Sequence, residues 1–171
     1  LLSKILLVGG NATMVFVAGA LFVFASFLAS TSHTPAYGLF SAFFFLILGA
    51  NVIESGATEL TALEFYDQGN INQAVNVFNS TLSESGGMFS LILAAGMISL
   101  RSAIIKTEEA IGSGKIFKIV NYGLLVAGLL HLLFPFLASF GDSFEALAFL
   151  GWIGGWLIIV LLGVGILRTK K

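Results

Sequence analysis

Cysteine is absent from these 171 residues, which excludes disulfides, thiolate metal sites and thiol catalysis. Proline occurs twice, and charged residues amount to 10% with a formal net charge of −1, so the chain lacks the basic footprint of a nucleic-acid binder. Catalytic patterns are missing as well: there is no H-E-x-x-H, no phosphate-binding Gly-Lys-Ser/Thr loop, no G-x-G-x-x-G and no Ser/His/Asp ordering of note. These absences point away from an enzyme.

What remains is apolar. Hydrophobic residues make up 57% and the mean hydropathy is +1.00. The apolar runs are continuous rather than alternating, which selects helices over a barrel in a solvent that offers backbone amides no partner. The expected fold is an all-α, polytopic transmembrane helical bundle forming a single membrane domain over residues 1–171. About five spans are expected, at 12–30, 39–55, 88–105, 117–140 and 144–167. Between the first two lies the polar link 31–38, with Pro35 and Gly38 as breakers. Gly141-Asp142-Ser143 separates the last two, which makes them antiparallel neighbours.

The extramembrane segment 56–87 has a different composition. It carries Glu59, Glu64, Asp67 and Glu84 and no Lys or Arg. Within it Ile71, Ala74, Val75, Phe78 and Leu82 recur at helical spacing behind Asn70, a candidate N-cap. An amphipathic helix lying on the membrane or over the bundle is expected there.

Basic residues gather elsewhere. Arg101, Lys106, Lys115 and Lys118 flank one loop, and Arg168, Lys170 and Lys171 end the sequence two spans later. By the positive-inside rule, loop 106–116 and the C-terminus are cytoplasmic, and the acidic segment 56–87 faces outside. Gly112-Ser113-Gly114 turns that loop, whose lysines suit anionic lipid headgroups. Lys4 is the one basic residue on the wrong side of this topology. Asn79-Ser80-Thr81 is a glycosylation sequon on the outward segment, and Asn11-Ala12-Thr13 a second one close to the membrane.

Residues 17–30 and 126–139 align without gaps, opening on Val-Ala-Gly and closing on Phe-Leu-Ala-Ser. In a five-span topology such copies run in opposite directions, an arrangement found in transporters. Apolar windows drawn from the same few residue types also match by chance.

Three sets of residues qualify as sites. His131 lies inside the fourth span, four residues before Pro135, whose missing amide hydrogen leaves the His131 carbonyl without its helical partner. An intramembrane imidazole is a functional candidate, either as an interhelical hydrogen-bond donor or as an axial ligand to haem or chlorophyll. No cofactor is otherwise called for. Glu54, His131, Asp142 and Glu145 have similar depths and form a candidate cation or proton site. Gly151, Gly154 and Gly155, together with Gly123-x-x-x-Ala127, form small-residue faces suited to close helix approach within the bundle or against a partner. Trp152 reads as an interfacial anchor and Trp156 as packing.

Few polar groups within the spans, faces rich in small residues and no soluble domain together point to an accessory subunit of a larger membrane complex. Its expected partners are the lipid bilayer and other transmembrane subunits or a second copy. A small transporter using Glu54 and His131 is the alternative, and a haem- or chlorophyll-binding subunit using His131 a further one.

Overall fold

A computed structural model describes residues 2–107, 114–137 and 142–169, the side chains of 81–87, 137, 142–149, 152 and 169 excepted. The described residues form five helices and no strands: α1 (Leu2–Thr31), α2 (Ala36–Asp67), α3 (Ile71–Lys106), α4 (Lys115–Leu137) and α5 (Asp142–Thr169). Each packs mainly on the next in sequence, α1 on α2, α2 on α3, α3 on α4 and α4 on α5. The result is an up-and-down bundle with α2 and α3 in the middle.

The helices are longer than the expected spans. With 30, 32 and 36 residues, α1, α2 and α3 measure about 45 to 54 Å, against about 30 Å of bilayer hydrocarbon. Residues 56–67 continue α2, and 71–87 continue α3. The amphipathic helix expected within 56–87 is therefore not a separate element but the first turns of α3. Gly86 and Gly87 cost a helix about 1 kcal/mol each relative to alanine, and α3 runs through them unbroken. Four helical stretches are long and apolar enough to cross a membrane: Leu2–Thr31, Ala36–Asp67, Met88–Lys106 and Lys115–Phe136. In α5 the described apolar stretch is shorter, Ile153–Arg168. This is the pattern of a multi-pass membrane protein.

The α2–α3 turn is built by Gly69, whose φ of +80° only glycine adopts without strain. Asn70 N–H bonds Phe65 O at 2.9 Å and Gly69 N–H bonds Tyr66 O at 3.0 Å, the Schellman arrangement that satisfies the last carbonyls of a helix. Asn70 does precede α3, but its side chain makes no cap hydrogen bond.

Gly38 is not a breaker. It lies in the first turn of α2, buried, and a Cβ there would sit 2.7 Å from the Ala29 nitrogen and 2.8 Å from the Ala25 oxygen. Backbone meets backbone at this crossing, with Ala25 and Ala29 as the small residues of α1. Pro35 carries the break instead, as the residue immediately before α2.

Buried apolar side chains from α1 to α5 form one core, with Leu28, Phe45, Met97, Leu100, Ile104 and Leu124 among its largest members. Ser41 is fully buried in α2 and donates to Gly96 O of α3 at 3.1 Å, an interhelical hydrogen bond where water has no access. Large apolar residues are equally abundant outside: Phe16 is 79% exposed, and Phe40, Phe43, Leu46, Tyr122 and Val160 are also exposed. In water such a surface would aggregate, whereas lipid is its natural solvent.

The ends of the bundle separate by charge. The start of α1, the end of α2 and the start of α3 share one end, where Lys4 Nζ lies 2.8 Å from Asp67 Oδ2. Arg101, Lys106, Lys115, Lys118 and Arg168 occupy the opposite end. Lys4 is thus not stray but paired with the acidic segment.

The Gly38 crossing gives the sharpest stability test. Gly38→Ala drives a methyl into backbone that has no rotamer to yield, and is expected to cost about 1–3 kcal/mol. Gly49→Ala is the control on the same helix, because its Cβ would meet Ala18 Cβ at an ordinary 3.6 Å. Thermal unfolding in detergent should show a lowered midpoint for Gly38→Ala and an unchanged or raised one for Gly49→Ala.

Candidate functional site

His131 is the most constrained polar group described. It sits on α4 at 5% exposure, and its Nε2 has no hydrogen-bond partner among the described residues. The glycine face of α5 stands opposite: a Cβ at Gly155 would lie 3.9 Å from His131 Nε2, 3.9 Å from Ala127 Cβ and 2.9 Å from the Met97 methyl. Small residues on α5 thus let α4 and α3 come close, and the imidazole is enclosed as a result. Pro135 lies within α4, which continues through it to Leu137. Two further buried polar atoms lack partners among the described residues, Arg101 Nε on α3 and Asn121 Oδ1 on α4.

The other small-residue positions are used unevenly. A Cβ at Gly151 would meet Leu130 Cβ at 3.0 Å, and one at Gly123 would collide with the Ile158 side chain. Gly154 has nothing within 4 Å of its would-be Cβ. Gly128, not singled out in the sequence, approaches Ile98 at 2.7 Å in the same sense. Trp156 borders a gap of about 20 Å³ shared with Ala18, Leu48 and Met97; the side chain of Trp152 lies outside the described residues.

The four groups considered for a cation site are not assembled in the described structure. Glu54 is exposed on α2, a helix that packs on α1 and α3 rather than on the α4 that carries His131. The side chains of Asp142 and Glu145 lie outside the described residues. Among the described residues no three His, Cys, Asp or Glu side chains come close enough to hold a metal ion.

A second site was not foreseen as such. At the end of the bundle marked by Lys4 and Asp67, a cleft of about 530 Å³ opens between α1, α2 and α3. Leu7 of α1, Ala62, Leu63 and Tyr66 of α2, and Val75 and Phe78 of α3 line it. Glu59 is the one carboxylate in the described lining, and that lining includes no cation. Asn11 Nδ2 donates to Glu59 Oε2 at 3.4 Å and rests against Gly56, where a Cβ would lie 2.7 Å away. Asn11 is thereby held in the α1–α2 seam, a poor position for glycan transfer. Asn79 is exposed at the cleft rim. The apolar stripe at 71–78 signalled an amphipathic helix, but only Ala74 of it is buried; Ile71, Val75 and Phe78 are exposed.

At the same end the Lys4 ammonium, hydrogen-bonded to Asp67 and attracted by its charge, has its pKa raised, and the Asp67 carboxyl is lowered by the same hydrogen bond and charge. The contribution of a depressed carboxyl is present above its unfolded pKa and is lost as pH falls through the lowered value; the raised ammonium loses its contribution at the alkaline end. The pair is solvated, so its effect is local.

Comparison with family models, with curated proteins and with solved structures finds no match to this chain.

Two outcomes are expected. Gly155→Ser brings a hydroxyl towards His131 Nε2 while its Cβ pushes on the Met97 methyl 2.9 Å away, so its detergent unfolding midpoint should exceed that of Gly155→Ala by the equivalent of about 1 kcal/mol, the worth of satisfying that atom. Asp67→Asn should shift the pH profile of Lys4 acylation by an amine-reactive ester towards lower pH, read by mass spectrometry of the Lys4 peptide.

Proposed function

We propose that this chain is a small, non-enzymatic integral membrane subunit that joins a larger membrane assembly. In this reading five helices span the bilayer, α5 completing the four long apolar stretches. The C-terminus and the 106–116 loop are cytoplasmic, because the cationic end of the bundle belongs inside. The Lys4–Asp67 end and residues 56–87 then face outward.

The observation that carries the reading is the length of α1, α2 and α3. Bilayer hydrocarbon accounts for about 20 residues of each. The rest forms a three-helix arm beyond it, made of the first turns of α1, the last turns of α2 and the first turns of α3. Leu2, Ile5, Leu6, Ile71, Val75 and Phe78 are exposed on that arm. Apolar side chains in the span meet lipid, but those on the arm meet water unless another protein covers them, and uncovered patches of this kind mark interaction surfaces. The glycine at 154, open on α5, offers a further close-approach position in the span.

One specific observation favours a second reading, a haem- or chlorophyll-binding subunit: the buried, unpartnered Nε2 of His131. Against it, that atom faces the close-packed Gly155 and Met97 and borders neither cavity described above. The transporter reading gains no comparable support, since Glu54 stands exposed and apart from α4.

Gentle detergent extraction from the native membrane, followed by native mass spectrometry and an absorption spectrum of the same fraction, tests the proposal. The expected result is a colourless particle containing this chain with other polypeptides. A visible absorption band would favour the His131 reading, and a particle built from this chain alone would overturn the subunit reading.

A further inference from the structure

We infer that the arm cleft is the seat of a helix from another polypeptide, amphipathic and carrying a lysine or arginine opposite Glu59. This inference rests on the subunit reading and names the partner's chemistry.

The argument begins with an incomplete bundle. Deeper in the molecule, α5 closes the space bounded by α1, α2 and α3: its Trp156 and Ile159 share one small gap with Ala18, Leu48 and Met97. The arm has the same three walls, and among the described residues none of α4 or α5 lines it. α4 has 23 residues and α5 has 28, against 36 in α3. The cleft of about 530 Å³ continues that space along the arm, and its described lining comes from α1, α2 and α3.

The lining matches a helical occupant. Residues 59–66 of α2 and 74–79 of α3 offer about 10 Å of helix axis, or two turns, along the cleft floor. Val75 and Phe78 present the apolar stripe of α3 to it, and Leu7 and Leu63 continue that surface onto α1 and α2. An apolar helix face laid into such a groove is a common recognition mode.

Charge selects the partner. Glu59 is partly buried in the cleft wall and held by Asn11, so a cation on the incoming helix finds a positioned acceptor. Glu64 lies nearby, Asp67 is already paired with Lys4, and residues 56–87 include no lysine or arginine. That balance disfavours anionic lipid headgroups, and it disfavours a second copy of this chain, whose own arm carries one lysine, Lys4, already engaged by Asp67. A glycan on Asn79 would stand at the cleft mouth, so a glycosylated arm and a helix-bound arm exclude one another.

The test is photo-crosslinking of the full chain in its native membrane. p-Benzoyl-phenylalanine is placed at Val75 in the cleft and, separately, at Val23 and Val160 on exposed faces of the spans. The expected product at Val75 is a peptide of another polypeptide whose sequence has helical apolar periodicity and at least one lysine or arginine. Glu59→Lys should lower its yield at least tenfold and Glu59→Gln severalfold. Glu64→Lys, outside the cleft lining, should change it less than twofold. Cross-linking at Val75 to a second copy or to lipid alone, while Val23 or Val160 reaches another polypeptide, would overturn the cleft assignment and leave the subunit reading intact. Cross-linking to no other polypeptide from any of the three positions would overturn both. A helix captured at Val75 with yield indifferent to Glu59 would overturn the pairing with a cation.

Discussion

Each helix here satisfies its own backbone, and that self-sufficiency permits the rest of the structure. A polypeptide whose amides and carbonyls are paired within each segment can leave its outer surface apolar, and this one does so along all five helices. The consequence for packing is less obvious. Where lipid surrounds the helices, apolar burial supplies little net drive for association, so close fit and the occasional interhelical hydrogen bond must hold them together. Gly38 against the Ala25–Ala29 backbone, Gly155 against Met97 and Ser41 bonded to Gly96 O are the places where this is visible. They occur on different helix pairs, so the crossings are set one by one rather than by a single central cluster.

The charged residues follow a second logic. Apart from Glu54 within α2, the described charged side chains sort to the two ends, cationic at the α3–α4 and α5 termini and acidic along the α2–α3 hairpin. Lys4 conforms once its neighbour is seen, because Asp67 lies 2.8 Å away. A count of charges along the chain registers Lys4 as an exception to the topology, whereas the fold uses it to tie the start of α1 to the end of α2. Exposed as the pair is, its role is closer to register than to stability.

The class of fold was legible because hydropathy and continuity of apolar runs leave few alternatives. The start of helix near 71 was also legible, from the apolar stripe behind Asn70, although it opens the long α3 rather than a separate element. The reach of the helices was not. A window of hydropathy reports where lipid can be, and helix propensity does not stop there: Ala57, Leu60, Leu63 and Glu64 carry α2 onward although Glu59 and Glu64 no longer suit a membrane interior. Gly38 was misread for a related reason. In sequence a glycine near a proline signals a break, and only the neighbouring Ala25 and Ala29 reveal a contact residue. For the candidate sites, the glycine positions lie on real helix faces, but which of them meet a neighbour depends on rotation about each axis, so Gly155 is filled and Gly154 is open. Similar depth suggested that Glu54 and His131 converge; depth alone says nothing about which helices adjoin, and α2 and α4 are separated by α3.

Unequal helix lengths, from 23 residues in α4 to 36 in α3, make the two ends of the described bundle unlike. Had α4 and α5 matched α3, the acidic end would be capped and the stripe of Val75 and Phe78 would be core. Had α1 to α3 been trimmed to the bilayer, no apolar surface would stand outside it. The observed combination leaves three walls of a bundle around a largely apolar cleft, with Glu59 the one carboxylate in its described lining. Stability alone does not favour such an arrangement, since exposed apolar area contributes nothing to the isolated chain and invites aggregation. Glu59 adds a feature that packing does not require, a partly buried carboxylate with Asn11 as its one described hydrogen-bond partner. An apolar slot with an anion set in its wall is incomplete as a core, and the proposed docking of a partner helix rests on that feature of the arm rather than on the buried histidine.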